Sequence, residues 1–279
     1  MRALPFLLLL VACQENDFAG TQSRSIAVVT GDFDDVAEPL DRLVLNHTAY
    51  DGIISNAVWD PEYDPETHAL KAEGLFAGGG ELGQHGWVFV ASGARGFGDT
   101  VYNGVAPDNQ FVDDLLVRSD IVDYVARGNT LLVTDWAYDL VEVCWPSAIE
   151  FLGDDTARDS AQLGEVETVI AEVTDKRLRD TTENDQLAIH YNFSNWAIIE
   201  SVSDDVAVWL RGDVNWRNPN DGSVTSVKNV PLLVSFTPKE GSGRVVVATF
   251  HIDAQNDPVA DEITNTVVGP FFAVEEEEE

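Results

Sequence analysis

Residues 130–134, Thr-Leu-Leu-Val-Thr, form an unbroken apolar and β-branched run. It passes without a loop into a helical pattern, with Ala137, Leu140, Val141 and Cys144 at i, i+3, i+4 and i+7. A run this short with no polar alternation is buried on both faces, as in the interior of a parallel sheet. A strand that turns directly into a helix points to an α/β layer architecture.

The same unit recurs upstream. Ser25 to Thr30 is a strand candidate ending in Gly31-Asp32, followed by a helical stretch from Val36 to Leu45. Tyr50 to Ser55 and Trp87 to Ala91 supply two more strands, the latter running into the glycine-rich Ser92 to Gly98. A helix fits within Pro65 to Phe76, between breakers at Asp60-Pro61, Asp64-Pro65 and Gly78-Gly79-Gly80. Asp108 is an N-cap candidate for the next helix. Phe111, Val112, Leu115, Leu116, Val122 and Val125 give that helix an apolar stripe, and Gly128 ends it. Trp136 to Trp145 is the helix after the fourth strand.

The second half changes character. Glu165–Val173, Leu187–His190, Val206–Arg211, Leu232–Phe236 and Arg244–Phe250 read as strands, separated by turn signals such as Asn218-Pro219-Asn220-Asp221-Gly222. Asn195 to Glu200 reads as a short helix or strand, and Asp261 to Phe272 as a closing helix. The pattern predicts a flavodoxin-like three-layer α/β sandwich over residues 26–273, with a mostly parallel sheet and a β-rich elaboration in the C-terminal half. Residues 274–279 are an acidic tail.

The first residues carry an address. Met1-Arg2 precedes a short apolar run, Ala3 to Ala12, ending in Leu10-Val11-Ala12-Cys13. The run falls short of the roughly 20 residues that a membrane-spanning helix needs. Leu10 to Cys13 resembles the lipobox of bacterial lipoproteins, so residues 1–12 are read as a signal peptide and residues 13–25 as a tether. The resemblance implies acylation of Cys13 and anchoring in the cell envelope. An ordinary secretory signal is the alternative. Gln14 is not the aspartate that retains many lipoproteins in the inner membrane, which favours the outer membrane.

Asp and Glu outnumber Lys and Arg by 49 to 16, a net charge of −33. Such a surface repels nucleic acid and anionic lipid headgroups, and so argues against a nucleic-acid partner. Solvation, including adaptation to salt, is the preferred reading, with a cationic partner or divalent cations as the alternative. With Cys13 acylated, Cys144 has no disulfide partner; it reads as a small core residue rather than a reactive thiol. No cofactor is expected, because Ser92 to Gly98 matches neither the P-loop nor the dinucleotide fingerprint.

Three constellations could carry chemistry. Phe250-His251-Ile252-Asp253 leaves a strand end, where ligands bind in open α/β sheets, with a carboxylate two residues past the histidine. Asp135 and Trp136 sit at a strand-to-helix junction, the geometry of a nucleophile elbow. The ordinary reading is that Asp135 caps the helix. Asp32, Asp34 and Asp35 could hold a divalent cation or merely cap a helix. His47, His68, His85 and His190 lack metal-ligand spacing.

These junctions, in this order, resemble the class I glutamine amidotransferase-like superfamily, which includes the ThuA-like proteins. Phe250-His251-Ile252-Asp253 is similar to the family's His-x-Glu pair, with Asp for Glu. Gly241 to Gln255 is similar to the G-x-G-R-V strand and FHxxxQ ending of non-catalytic members found in bacterial lipoproteins. Leu131 to Pro146 resembles the elbow region. The resemblance implies a cysteine on a G-x-C-x-G elbow, and this chain has Asp135 there, which removes the thioester route. The expectation is a non-catalytic envelope lipoprotein binding a small ligand or an envelope partner, with Asp135, Trp136, His251, Asp253 and Asp32 around the cleft. Two alternatives stay open. One is a hydrolase or carbohydrate-modifying enzyme using Asp135 and His251, assisted by a metal at Asp32. The other is a structural or interaction lipoprotein with a vestigial cleft.

Overall fold

The computed structural model describes residues 25–52, 72–76, 80–94, 114–153, 161–218 and 220–272. The lipobox with Cys13, the Asp108 cap and the acidic tail lie outside these residues.

One nine-stranded sheet organises the chain. Its strands are β1 (Ile26–Val29), β2 (His47–Tyr50), β3 (Trp87–Val90), β4 (Thr130–Thr134), β6 (Glu167–Val173), β7 (Gln186–Tyr191), β9 (Ala207–Arg217), β10 (Val224–Phe236) and β11 (Arg244–Ala248). Their order is β2-β1-β3-β4-β11-β10-β9-β6-β7. The pairings from β2 through β11 are parallel, in single register. Those from β11 out to β7 are antiparallel. The β-rich second half therefore extends the same sheet. A separate antiparallel pair joins β5 (Ile149–Phe151) to β8 (Ile199–Val202).

Period-two side-chain alternation divides the core into two layers. Ala27, Val29, Val88, Val90, Leu131, Val133, Val245 and Val247 face α2 (Ala72–Phe76), α3 (Leu115–Ala126) and α4 (Tyr138–Cys144). Ile26, Val28, Trp87, Phe89, Leu132, Val246 and Ala248 face α1 (Ala37–Arg42) and α6 (Asp257–Phe272), and the same layer takes in α5 (Lys176–Thr182). Both faces are covered, so the central strands carry no polar alternation. Among the described residues no helix is long and apolar enough to cross a membrane.

Several boundaries differ from the sequence expectations. The second strand is His47–Tyr50, not one starting at Tyr50. As an edge strand it tolerates His47 and Thr48, and apolarity does not mark it. The helix after β1 stops at Arg42. Leu115 and Leu116 are exposed, because the apolar stripe of α3 runs through Val117, Ile121, Tyr124 and Val125. Asp114 caps α3 by accepting the Leu116 N–H at 2.8 Å, and Gly128 lies just past its end with φ 101°. Helix α5 escaped the sequence reading because Leu178 is its one apolar residue; Asp175 caps it, accepting the Leu178 N–H at 2.8 Å.

Candidate functional site

The carboxyl ends of β1, β3, β4 and β11 meet at one edge of the sheet. The antiparallel half curls back so that β7 ends there too, with Tyr191 Oη 2.9 Å from Thr249 Oγ1. Glycine allows the close approach of two of these loops. A Cβ on Gly31 would stand 2.1 Å from the Ser92 carbonyl oxygen.

Asp135 follows β4 directly, with φ 40°, in the left-handed region that residues other than glycine rarely adopt. Asp135 opens a 3-10 turn, Asp135–Ala137, and the N-cap of the helix that follows is Ala137, not Asp135. The N-cap reading of Asp135 is therefore overturned. Its Oδ1 accepts the Ala197 N–H at 2.9 Å, and its Oδ2 lies 3.1 Å from His251 Nε2 and 3.4 Å from Ser92 Oγ.

His251 lies beyond β11. Its Nδ1 is 3.0 Å from Asn192 Oδ1. Oxygen atoms face both ring nitrogens, surroundings that favour the protonated ring over the neutral one. Burial works against that charge. The hydrogen bond and charge of Asp135 outweigh burial, aided by Asp34 and Asp253, and the His251 pKa rises above its ordinary value. Asp135 and His251 are 3% and 4% exposed, so the pair is shielded from solvent.

The other expected site residues are distributed differently. Asp34 is buried, and its Oδ1 accepts the N–H groups of Ile252 at 3.0 Å and Asp253 at 3.2 Å, the two residues after His251. Burial pushes its carboxyl up to about 7. Asp253 does not touch the imidazole: its Oδ2 accepts the Asp35 N–H at 3.1 Å and ties the loop after β11 to the loop after β1. The role expected for the second member of a His-x-Asp pair passes to Asp135 and Asn192. Asp32 is exposed, and Asp35 accepts the Ala37 N–H at 3.1 Å. Among the described residues no group of three or more His, Cys, Asp or Glu is placed to hold a metal. Trp136 donates its Nε1–H to the Asn195 carbonyl at 2.7 Å and meets the Phe33 ring edge-on at 5.0 Å.

Asn192, Ser92 and Gln255 complete the site without having been singled out for it, and Asp34, read as a cation ligand or cap, serves it as a buried acceptor. Gln255 Nε2 donates to the carbonyls of His251 at 2.8 Å and His190 at 3.0 Å, and its Oε1 accepts the His190 N–H at 2.9 Å. The side chain thus stands in for a missing strand partner at the β7 edge. The spacing of Gln255 from His251 was visible in the sequence, but its partner on β7 was not.

Residues 192–195 are exposed, and Asn192 and Phe193 reach the His251 ring. The Phe193 ring stands 5.6 Å from His251 and 6.0 Å from Phe33. Below them about 150 Å³ remains among Asp135, Tyr191, Asn192, Phe193, Trp196, Phe250 and His251, none of it wide enough for a water molecule. Cys144 takes no part: its Sγ lies 3.9 Å from the Arg118 carbonyl, and burial pushes the thiol up to about 12.

No protein-family model matches the chain, and no curated protein does. Solved structures do. A Thermoplasma acidophilum protein assigned as a subunit of GMP synthase has 11% identity and a TM-score of 0.50, over 91% of this chain and 98% of that one. A glutamine amidotransferase from Thermotoga maritima has 8% identity and a TM-score of 0.42, over 91% and 86%. A Bacteroides uniformis protein assigned as ThuA-like has 10% identity and a TM-score of 0.47, over 88% and 91%. The chain has the class I glutamine amidotransferase-like fold, and at these identities the likeness speaks for the fold alone.

Proposed function

We propose that this chain is an envelope lipoprotein, anchored through acylated Cys13, whose amidotransferase-like site binds a small ligand or an envelope partner without turning it over. The observation that carries this reading is the Asp135 carboxylate at the elbow. It is engaged at both oxygens, by Ala197 N–H and His251 Nε2. An acyl transfer through a thioester needs a thiolate in that position. The anchor rests on Leu10 to Cys13, and the outer-membrane placement on Gln14.

The test has two arms. Labelled palmitate should enter the full chain and be lost with Cys13→Ala. A ligand screen by thermal shift should find compounds that stabilise the protein without being consumed; mass action gives about 2.7 kcal/mol at a hundredfold excess over Kd. Consumption of a stabilising compound, abolished by His251→Ala in a folded protein, would establish the hydrolase reading instead. That reading draws on the 3.1 Å contact between Asp135 and His251 and the left-handed backbone at Asp135. The burial of both side chains weighs against it.

A further inference from the structure

Residues 192–195 are fixed at both ends and lightly held between. Upstream, Gln255 bonds the N–H and the carbonyl of His190. Downstream, Asn195, with φ 67°, donates its N–H to the Gly164 carbonyl at 2.7 Å and takes the Trp136 indole N–H on its own carbonyl. Between these anchors, among the described residues, the side-chain contacts with the site are the Asn192 carboxamide on His251 Nδ1 and the Phe193 ring against Phe33 and His251. A short exposed segment tied down by one side-chain hydrogen bond and one ring is the kind of element that opens locally at small free-energy cost.

We propose that residues 192–195 form a strap in which the Asn192 carboxamide occupies the place of a ligand's carbonyl oxygen on His251. The ligand it gives way to is a small uncharged compound that carries a carbonyl acceptor next to a flat apolar ring. This rests on the binding reading above and names its ligand class. His251 Nδ1 faces the Asn192 Oδ1, a carboxamide oxygen, while Nε2 stays committed to Asp135. Any group that replaces Asn192 must therefore accept a hydrogen bond. Phe33 and Trp136, edge to face at 5.0 Å, supply an aromatic wall whose Phe33 ring meets Phe193 at 6.0 Å. The ligand is uncharged: an anion would meet the carboxylates of Asp32, Asp35 and Asp253 on the surrounding loops, and a cation would meet the edge of a ring already paired with Asp135.

The probe is benzamide, with benzoate as its charged counterpart. It is titrated into the full chain in detergent and followed on the His251 ring resonances, assigned with His251→Gln. Benzamide should shift His251 saturably, and benzoate should bind more weakly. Asn192→Ala removes an internal competitor worth one hydrogen bond, so benzamide should bind about tenfold tighter. Asn192→Asp sets a carboxylate on the imidazolium, closes the strap harder and should weaken benzamide. A merely structural Asn192 would not move the two variants in opposite directions. The proposal falls if benzamide leaves His251 unmoved in both the wild type and Asn192→Ala, if Asn192→Ala binds no tighter, or if benzoate binds as well as benzamide. Discovery of turnover, or of an unacylated chain, would overturn the function proposed above and leave these titrations as they stand.

Discussion

Asp135 Oδ2 and His251 Nε2 lie 3.1 Å apart across 116 positions of sequence, each side chain almost fully buried. Taking two charges out of water costs more than their attraction returns unless the remaining polar atoms are also satisfied. Here they are, by Ala197 N–H on the aspartate and Asn192 on the imidazole. Removing one partner strands the other, so Asp135→Ala or His251→Ala should each lose about 3–5 kcal/mol of stability. The double variant Asp135→Ala with His251→Ala should lose less than the sum of the two single losses, since neither charge is then left unpaired. Urea unfolding of the four proteins checks this as a double-mutant cycle.

Stability should fall as pH rises. The folded state holds the His251 proton more tightly than the unfolded chain, whose value is near 6.5. This contribution is complete below that value and is lost as pH climbs through the raised folded one. Asp34 acts in the same direction. It keeps its proton up to about 7, whereas the unfolded carboxyl loses it near 3.8, so stability drains away between those values. Asp34→Asn keeps an oxygen acceptor for the Ile252 and Asp253 N–H groups and removes the ionisation. It should flatten the lower part of the profile, by on the order of a few kcal/mol. Unfolding free energies from pH 4 to 9, an illustrative range of about five units, test this; an unchanged slope in Asp34→Asn would refute the assignment.

The parallel half of the fold was legible because burial on both faces writes itself as short apolar runs, as at Thr130–Thr134, where strand and expectation coincide. His47–Tyr50 and α5 were not legible, since an edge strand and a one-leucine helix bury too little to leave a pattern. Of the site, Asp135 and His251 could be placed because each follows a strand end directly. Asn192 follows β7, which stands at the far end of the strand order, and only the curl of the sheet brings it to His251. Capping propensity pointed Asp135 at its own helix. The left-handed backbone, which propensity cannot see, pointed it at residues 197 and 251.

Gln255→Leu should be costly for a polar residue outside the charged pair. It is 5% exposed and makes three hydrogen bonds, two to His190 and one to the His251 carbonyl. Leucine would fill the volume and leave those backbone groups without their partner, a loss of roughly 1–3 kcal/mol. The effect should be local as well as global. Amide exchange at His190 should speed up more than exchange at Val246 in the sheet centre, and equal changes at both would show that Gln255 holds no particular edge.

Asp135→Cys should create a thiol that ionises below its ordinary 8.5 or so, since it would stand where His251 now meets a carboxylate. Cys144 provides the internal contrast, a half-buried thiol that burial pushes up to about 12. Thiolate absorbance against pH should therefore show two separate steps in the variant and only the higher one in the wild type. Ionisation and reactivity should part company, because residues 192–195 cover the elbow. Iodoacetamide should modify the Asp135→Cys thiol slowly despite its low pKa, and faster once Asn192→Ala is added. Rapid alkylation of the single variant would mean that the strap does not shield the elbow. A single high thiol step would mean that the His251 charge depends on the carboxylate it had been paired with.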